Sequence, residues 1–333
     1  MNRRAFLRSS LPAALPVFAA GCCRRDDDTD DIEVVDQRYA FGTGVSITVA
    51  GLAADEAETL LDGAAAEMER LESIFTLFEP DSPLRRLNRD GRLENPPAEL
   101  VRVLQICAEV NRITDGAFDP TVQPLWELYE NYFALRPGRR VGPSQESIAA
   151  ARARIGWGSV VVTPERIVFA KEGMALTLNG IAPGYTADHI TRWLADRGAA
   201  HALADIGEFR ALGTRPDGSA WKIGIKAGDE VVDEAGLVDN GLATSSGSGT
   251  VFDREGEFHH LFNPQRNQFS DAARTISVEA PSAAFADALA TAGGVMEFAQ
   301  LQRVAAKLAS VRVREFAHQA DSRRRRHVPH SGR

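Results

Sequence analysis

The chain has 333 residues, of which 44% are apolar, 25% charged and 7% aromatic, and its mean hydropathy is −0.21. No apolar run approaches the roughly 18 residues of a spanning helix, which excludes a polytopic membrane protein, and a formal charge of −8 argues against a general nucleic-acid binder. Setting aside three arginines in the first 21 residues and five in the last eleven leaves −16 for the stretch between.

Asn2-Arg3-Arg4-Ala5-Phe6-Leu7-Arg8 is a twin-arginine opening, followed by a mildly apolar stretch broken by Pro12 and Pro16. Residues 1–21 read as an export signal of the twin-arginine type, which places the protein on the periplasmic side of a bacterial inner membrane. Ala19-Ala20-Gly21-Cys22 resembles a lipobox with Cys22 as the lipid attachment point, a plain cleavable signal being the alternative. Residues 22–37, rich in Asp, read as a solvated tether, residues 38–318 as the body, and residues 319–333 as a basic, frayed tail. Beyond Cys22 and Cys23 the only cysteine is Cys107, so no disulfide framework is expected.

Within the body, Tyr39 to Ala50 alternates (Val45, Ile47, Val49) and reads as a strand with a glycine break at Gly42-Thr43-Gly44. From Asp55, Ala57, Leu60, Leu61, Ala64, Met68, Leu71 and Phe75 fall at helical spacing, and Pro96 to Ile113 repeats the pattern. Ser144 to Ile155 predicts a short helix with a serine cap, and Val160–Val162 with Ile167–Phe169 a hairpin. Gly184 to Arg197 and Ser282 to Gly293 read as helices; Ala202 to Ile206, Trp221 to Lys226 and Thr275 to Ala280 read as strands. Strands and helices mix without strict alternation, which predicts an α+β fold rather than a doubly wound sheet.

Four segments concentrate unusual residues. Thr114 to Thr121 contains Ala117-Phe118-Asp119-Pro120, a turn by its Asp-Gly and Asp-Pro pairs or a polar pocket edge. Leu178-Asn179-Gly180-Ile181-Ala182-Pro183-Gly184-Tyr185 precedes a helix, as a phosphate cradle or an ordinary glycine-rich turn. Asp287 and Thr291 stand four apart, so both oxygens share a helix face and suit Mg²⁺, or form a satisfied polar pair. Thr244-Ser245-Ser246-Gly247 lies upstream of His259-His260; one of these can activate an oxygen nucleophile, or the pair is a surface feature.

In this order the segments resemble the ApbE family of FAD:protein FMN transferases. Phe41-Gly42-Thr43 stands for the family's M-G-T, Phe78-Glu79-Pro80-Asp81-Ser82 for its S-x-Y-x-P-x-S, and Gly116-Ala117-Phe118-Asp119-Pro120-Thr121 is intact. Leu178 to Tyr185, Ala243 to Gly247, His260-Leu261-Phe262-Asn263-Pro264 and the intact Ala286 to Thr291 motif follow over roughly residues 39 to 300. The resemblance implies an α+β body of two related lobes with FAD between them. It implies transfer of FMN from FAD to a Ser or Thr hydroxyl of a periplasmic acceptor protein through a phosphoester bond, releasing AMP, with Mg²⁺ as cofactor. It further implies His260 as catalytic base, and Phe41, Phe78, Ala117, Phe118, Asp119, Thr177 and Pro183 along the FAD site. The metal falls to Gly180, Asp287 and Thr291. Thr177 replaces a family Asp, Pro183 a Lys or Glu, and Asn263 an Asp beside the base. Mg²⁺-dependent hydrolysis of FAD to FMN and AMP, or FAD storage without catalysis, are the competing readings.

Overall fold

The structure, a computed structural model, describes residues 33–317 apart from residue 267. The export signal, Cys22, the acid-rich part of the tether and the basic tail lie outside the described residues.

The first two strands, β1 (Glu33–Ala40) and β2 (Thr43–Ala50), form a hairpin in which Ala40 pairs with Thr43. Residues 33–37, expected to belong to the tether, are therefore strand. The expected single strand from Tyr39 is instead two, turning at Phe41 (φ 51°) and Gly42 (φ 80°). Two positive φ values in a two-residue loop match the twist of the flanking strands. The turn is braced by the Tyr39 hydroxyl, which donates to the Gly42 carbonyl at 2.7 Å, and by the Phe41 amide, which donates to Glu72 at 3.1 Å.

Helix α1 (Ala54–Phe75) buries the expected stripe from Ala57 to Phe75. Ser82 caps α2 (Pro83–Asp90), which leads through β3 (Arg92–Glu94) to α3 (Ala98–Ile113). Two helices, α4 (Gln123–Ala134) and α5 (Gln145–Arg152), come next, the latter capped by Ser144 as expected, with its hydroxyl accepting from the Ser147 amide at 3.2 Å. Strands β4 (Val160–Val162) and β5 (Arg166–Phe169) make the expected hairpin, and β3 joins β5 on its other side. Helix α6 (Ala182–Ala195), β6 (His201–Asp205) and β7 (Phe209–Leu212) precede the hairpin of β8 (Trp221–Ala227) and β9 (Glu230–Leu237). The chain ends with β10 (Gly241–Ser246), the short pair β11 (Phe262–Asn263) and β12 (Gln268–Phe269), β13 (Arg274–Ala280), α7 (Ala283–Val295), α8 (Phe298–Ala305) and β14 (Arg312–Ala317).

The central sheet runs β1-β2-β6-β7-β10-β13-β14, antiparallel at every pairing. Its middle is a thin seam, because β7 and β10 pair only through Gly241 with Arg210 and Leu242 with Phe209. Each half has its own core. Under β2 and β6, Val45, Ile47 and Val49 pack on α1 and α6; under β10 and β13, Ile276 and Val278 pack on α7 and α8. The β8–β9 hairpin covers the other face through Trp221, Ile223 and Ile225 against Ala211 and Leu242.

Helices α6 and α7 cross beneath the seam at backbone contact. A Cβ on Gly184 would stand 2.4 Å from the Ala283 carbonyl oxygen, so this glycine serves helix packing rather than ligand approach. Each helix caps the other. The Gly184 amide at the start of α6 donates to Asp287 of α7 at 3.4 Å. Asp188 of α6 accepts from Ala283 and Ala284 amides at the start of α7 (2.9 and 3.0 Å) and from the Ser282 hydroxyl at 2.7 Å. Arg210 of β7 pairs with the same carboxylate at 3.0 Å, which ties the crossing to the sheet.

A Cβ on Gly241 would fall 2.5 Å from the Ala283 Cα, with no flexible side chain to yield. Gly241→Ala is expected to cost about 2–3 kcal/mol of stability, measured by urea denaturation. An unchanged midpoint would show that the crossing is loose.

Candidate active site

At one end of the seam the structure opens a cavity of about 360 Å³. Ala117, Phe118, Asp119, Thr177, Gly180, Asp287, Thr291 and His260, all singled out in the sequence, line it together. Separations of up to 174 positions are closed by four elements: the Ala117–Pro120 turn, the loop before α6, the cavity face of α7, and the segment between β10 and β11. The 3₁₀ turn at Pro120–Val122 and the tie from the Thr177 amide to the Pro120 carbonyl (2.8 Å) hold the first two against each other.

Asp287 is 3% exposed, and Thr291 projects one turn further along the same face. Gly180 lies directly against Thr291: a Cβ there would meet its Oγ1 at 2.7 Å. Any side chain at 180 would displace the hydroxyl. Thr177, standing where the family motif carries Asp, is buried and accepts from the Asn179 amide at 3.3 Å, which shapes the Gly180 loop.

Glu208, at the turn between β6 and β7, also lines the cavity. It is held by the Thr244 amide at 3.1 Å, just past the point where β10 stops pairing with β7. Burial pushes the carboxyls of both Glu208 and Asp287 above the usual range, and the repulsion between them adds to the shift on Glu208. Asp287 is buried and Glu208 half-buried, each with one backbone donor, so the pair keeps acceptor capacity for a cation. Among the described residues no group of three or more His, Cys, Asp or Glu forms a metal cage. One carboxylate, one hydroxyl and backbone oxygens suit a hard cation that shares its remaining ligands with phosphate.

Asp119 is structural as well as cavity-facing. Its Oδ1 accepts from the Thr121 amide (2.9 Å) and hydroxyl (2.6 Å), and its Oδ2 from the Trp157 amide at 3.2 Å. A second cavity of about 480 Å³, lined by Asn111, Arg152 and Trp157 among others, shares Asp119 and Pro264 with the first.

The two histidines differ sharply. His259, for which a surface position was one expectation, is 1% exposed. Its Nδ1 accepts from the Leu261 amide at 3.2 Å and its Nε2 donates to the Ser270 carbonyl at 2.9 Å, which fixes a neutral ring with both nitrogens engaged. His260 faces the cavity, edge-on to Trp126 at 6.1 Å between centroids. Its Nδ1 lies 3.1 Å from the Thr250 carbonyl and 3.3 Å from the Thr250 amide, so it donates to the one or accepts from the other according to tautomer, and among the described residues Nε2 has no hydrogen-bond partner. Burial is the main cause that pushes its pKa down to about 4. Asn263, standing where the family motif has Asp beside the base, instead closes a local turn by accepting from the Gln265 and Arg266 amides, both at 2.9 Å.

Phe41, Phe78 and Pro183 line neither cavity. Phe78 is 56% exposed. Pro183 and Thr43 flank Gly207, at 3.8 and 3.7 Å from where its Cβ would stand, so the Phe41–Thr43 turn meets the cavity across the Gly207–Glu208 wall. Pro183 sits in the first turn of α6, where a missing N–H costs nothing. Residues that the sequence reading passed over, Trp126, Lys226 and Ser248, complete the lining.

Hydroxyl, carboxylate and imidazole groups converging in one cavity of an antiparallel α+β frame define a site of the group-transfer class. The chain belongs to the ApbE family, whose model matches residues 41–314. It is 27% identical over 252 residues to the FAD:protein FMN transferase of Haemophilus influenzae, covering 71% of this chain and 70% of that one. The flavinyl transferase ApbE of Pseudomonas stutzeri, in its apo form, superposes with a TM-score of 0.75 at 26% identity, covering 87% of this chain and 92% of that one. The ApbE protein of Thermotoga maritima gives 0.75 at 27% identity, with 85% and 93% covered.

Both histidines are held below the ordinary imidazole range by burial, so both are neutral in the folded protein. A depressed pKa contributes stability above about pH 6.5, and that contribution is lost as pH falls toward about 4. The melting temperature is therefore expected to decline through this window, and less steeply in His260→Gln. Parallel declines would show that His260 does not titrate there.

Proposed function

We propose that this chain transfers FMN from FAD to a Ser or Thr hydroxyl of an acceptor protein, forming a phosphoester and releasing AMP. The observation that carries the reading is the convergence of His260, Gly180, Asp287 and Thr291 on one cavity, in a chain whose relatives bear the name FAD:protein FMN transferase.

In this reading Nδ1–H of His260 donates to the Thr250 carbonyl at 3.1 Å rather than accepting from the Thr250 amide at 3.3 Å, and that tautomer leaves the Nε2 lone pair facing the cavity. Nε2 takes the proton as the acceptor hydroxyl oxygen bonds to the flavin-side phosphorus. The bond from that phosphorus to the AMP oxygen breaks, and the proton passes to the departing AMP. A ring already neutral at physiological pH is available for this without first losing a proton. Mg²⁺, held by Asp287, Thr291 and the Gly180 carbonyl, would supply charge neutralisation for the pyrophosphate. Asp287 also anchors the Gly184 amide, which fixes the carboxylate relative to the first turn of α6. Phe41, on the hairpin turn beyond Gly207, and the exposed Phe78 offer aromatic faces for a flat ring system. The acidic stretch between the two basic ends, at −16, favours entry of a dinucleotide accompanied by a divalent cation.

The twin-arginine opening supports a periplasmic acceptor, and Cys22 a lipid anchor.

Incubation with FAD, Mg²⁺ and a flavin-acceptor domain separates the readings. A fluorescent acceptor band on a denaturing gel is expected; free FMN alone would mean hydrolysis, and unchanged FAD storage. Asp287→Ala is expected to abolish Mg²⁺-dependent turnover, and His260→Ala to lower it by roughly 10²–10⁴-fold. Full activity in Asp287→Ala would remove the metal site.

A further inference from the structure

The cavity carries an unexplained cation. Lys226 is the only Lys or Arg lining it among the described residues, where the acids are Asp119, Glu208 and Asp287. It sits at the mouth, exposed, near the tip of the β8–β9 hairpin, with Gly228 beside it in the lining.

How Lys226 comes to be there follows from the strand register. Along β8, Ile225 pairs with Asp233 but Lys226 pairs with Val231, so Val232 of β9 is an extra residue at a bulge. Bulges bend a strand and re-aim its side chains. Earlier on the same outward face, Lys222 reaches Glu234 across the hairpin at 3.8 Å. Lys226 faces an apolar partner instead, and among the described residues its ammonium makes no ion pair or hydrogen bond. A hairpin that pairs one outward lysine and leaves the next unpaired over an acid-lined cavity keeps a positive charge for a ligand.

We infer that Lys226 is a substrate-binding residue that contacts the pyrophosphate of the dinucleotide at the cavity mouth. The inference rests on the flavin-transfer reading, since the anion it assigns is that of FAD. Its contribution is a charge contact formed at the surface and therefore weakened by salt. It acts on affinity for the phosphorylated ligand and leaves the isoalloxazine alone.

Flavin fluorescence titrations in EDTA test this without turnover, using FAD and riboflavin on the full chain and on Lys226→Gln and Lys226→Arg. Both substitutions fall on an exposed hairpin position. Lys226→Gln is expected to weaken FAD binding by roughly three- to fivefold at low salt, as for an exposed ion pair, and to flatten its salt dependence. Riboflavin affinity stays unchanged, and Lys226→Arg restores FAD binding. Unaltered FAD affinity and salt dependence in Lys226→Gln, beside normal binding by the unmodified chain, would overturn the assignment alone. An equal loss for riboflavin would also overturn it, since that marks a distorted hairpin. Failure of the unmodified chain to bind FAD would remove the flavin reading and this assignment with it.

Discussion

The reciprocal capping of α6 and α7 is the contact on which the rest depends. Four unsatisfied amides at a helix start are a cost every helix must meet. Here each helix meets part of it with an aspartate from the other, Asp188 in one direction and Asp287 in the reverse. The exchange requires the backbones to touch, which is why Gly184 and Gly241 admit no side chain and why α7 is built largely of alanine. It also determines where chemistry can occur. Asp287 is a packing residue and a cavity residue at once, and its position is set by the crossing rather than by a flexible loop.

Around that crossing the molecule arranges contrasting environments for like groups. Asp188 has three donors at the start of α7 and an arginine, whereas the buried Asp287 and the half-buried Glu208 have one amide each. His259 spends both ring nitrogens on backbone groups, whereas His260 keeps Nε2 toward the cavity. In each pair one member is saturated by its own fold and the other is left with capacity for a ligand. Saturation marks structure and spare capacity marks the site. Asp119 stands between these limits: it faces both cavities, yet its carboxylate is committed to Thr121 and Trp157.

Much of this was legible in the sequence, for reasons that differ by element. The stripe from Ala57 to Phe75 and the Ala286–Thr291 motif lie on long helices whose periodicity or spacing speaks for itself. The motifs from Ala117 to His260 meet at one cavity although distant in the chain, and order along the chain was the signal that linked them. Helix α2 escaped because PLRRLNRD shows only Leu84 and Leu87 to a core. Helix α4 escaped because its aromatics pack under the His260 segment, a contact no local pattern reveals. Strand β9 carries acids outward, and β14 forms the sheet's last edge with alternating charges, so neither reads as an apolar run. The role of Glu208 depends on where β7 and β10 part, and the direction of Lys226 on a bulge in the opposite strand. The same holds for the histidines, since residue type cannot say which ring meets the Leu261 amide.

The seam has a further meaning. Beyond Leu242 the side of β10 toward β7 runs on without a partner strand, and Glu208 takes the Thr244 amide in place of a carbonyl. The cavity thus occupies a gap in a hydrogen-bonded lattice that is continuous on the β13 side through Ser246. It is a discontinuity of the sheet itself, with β10 beyond Leu242 bonded to a whole strand on one side and to a single carboxylate on the other.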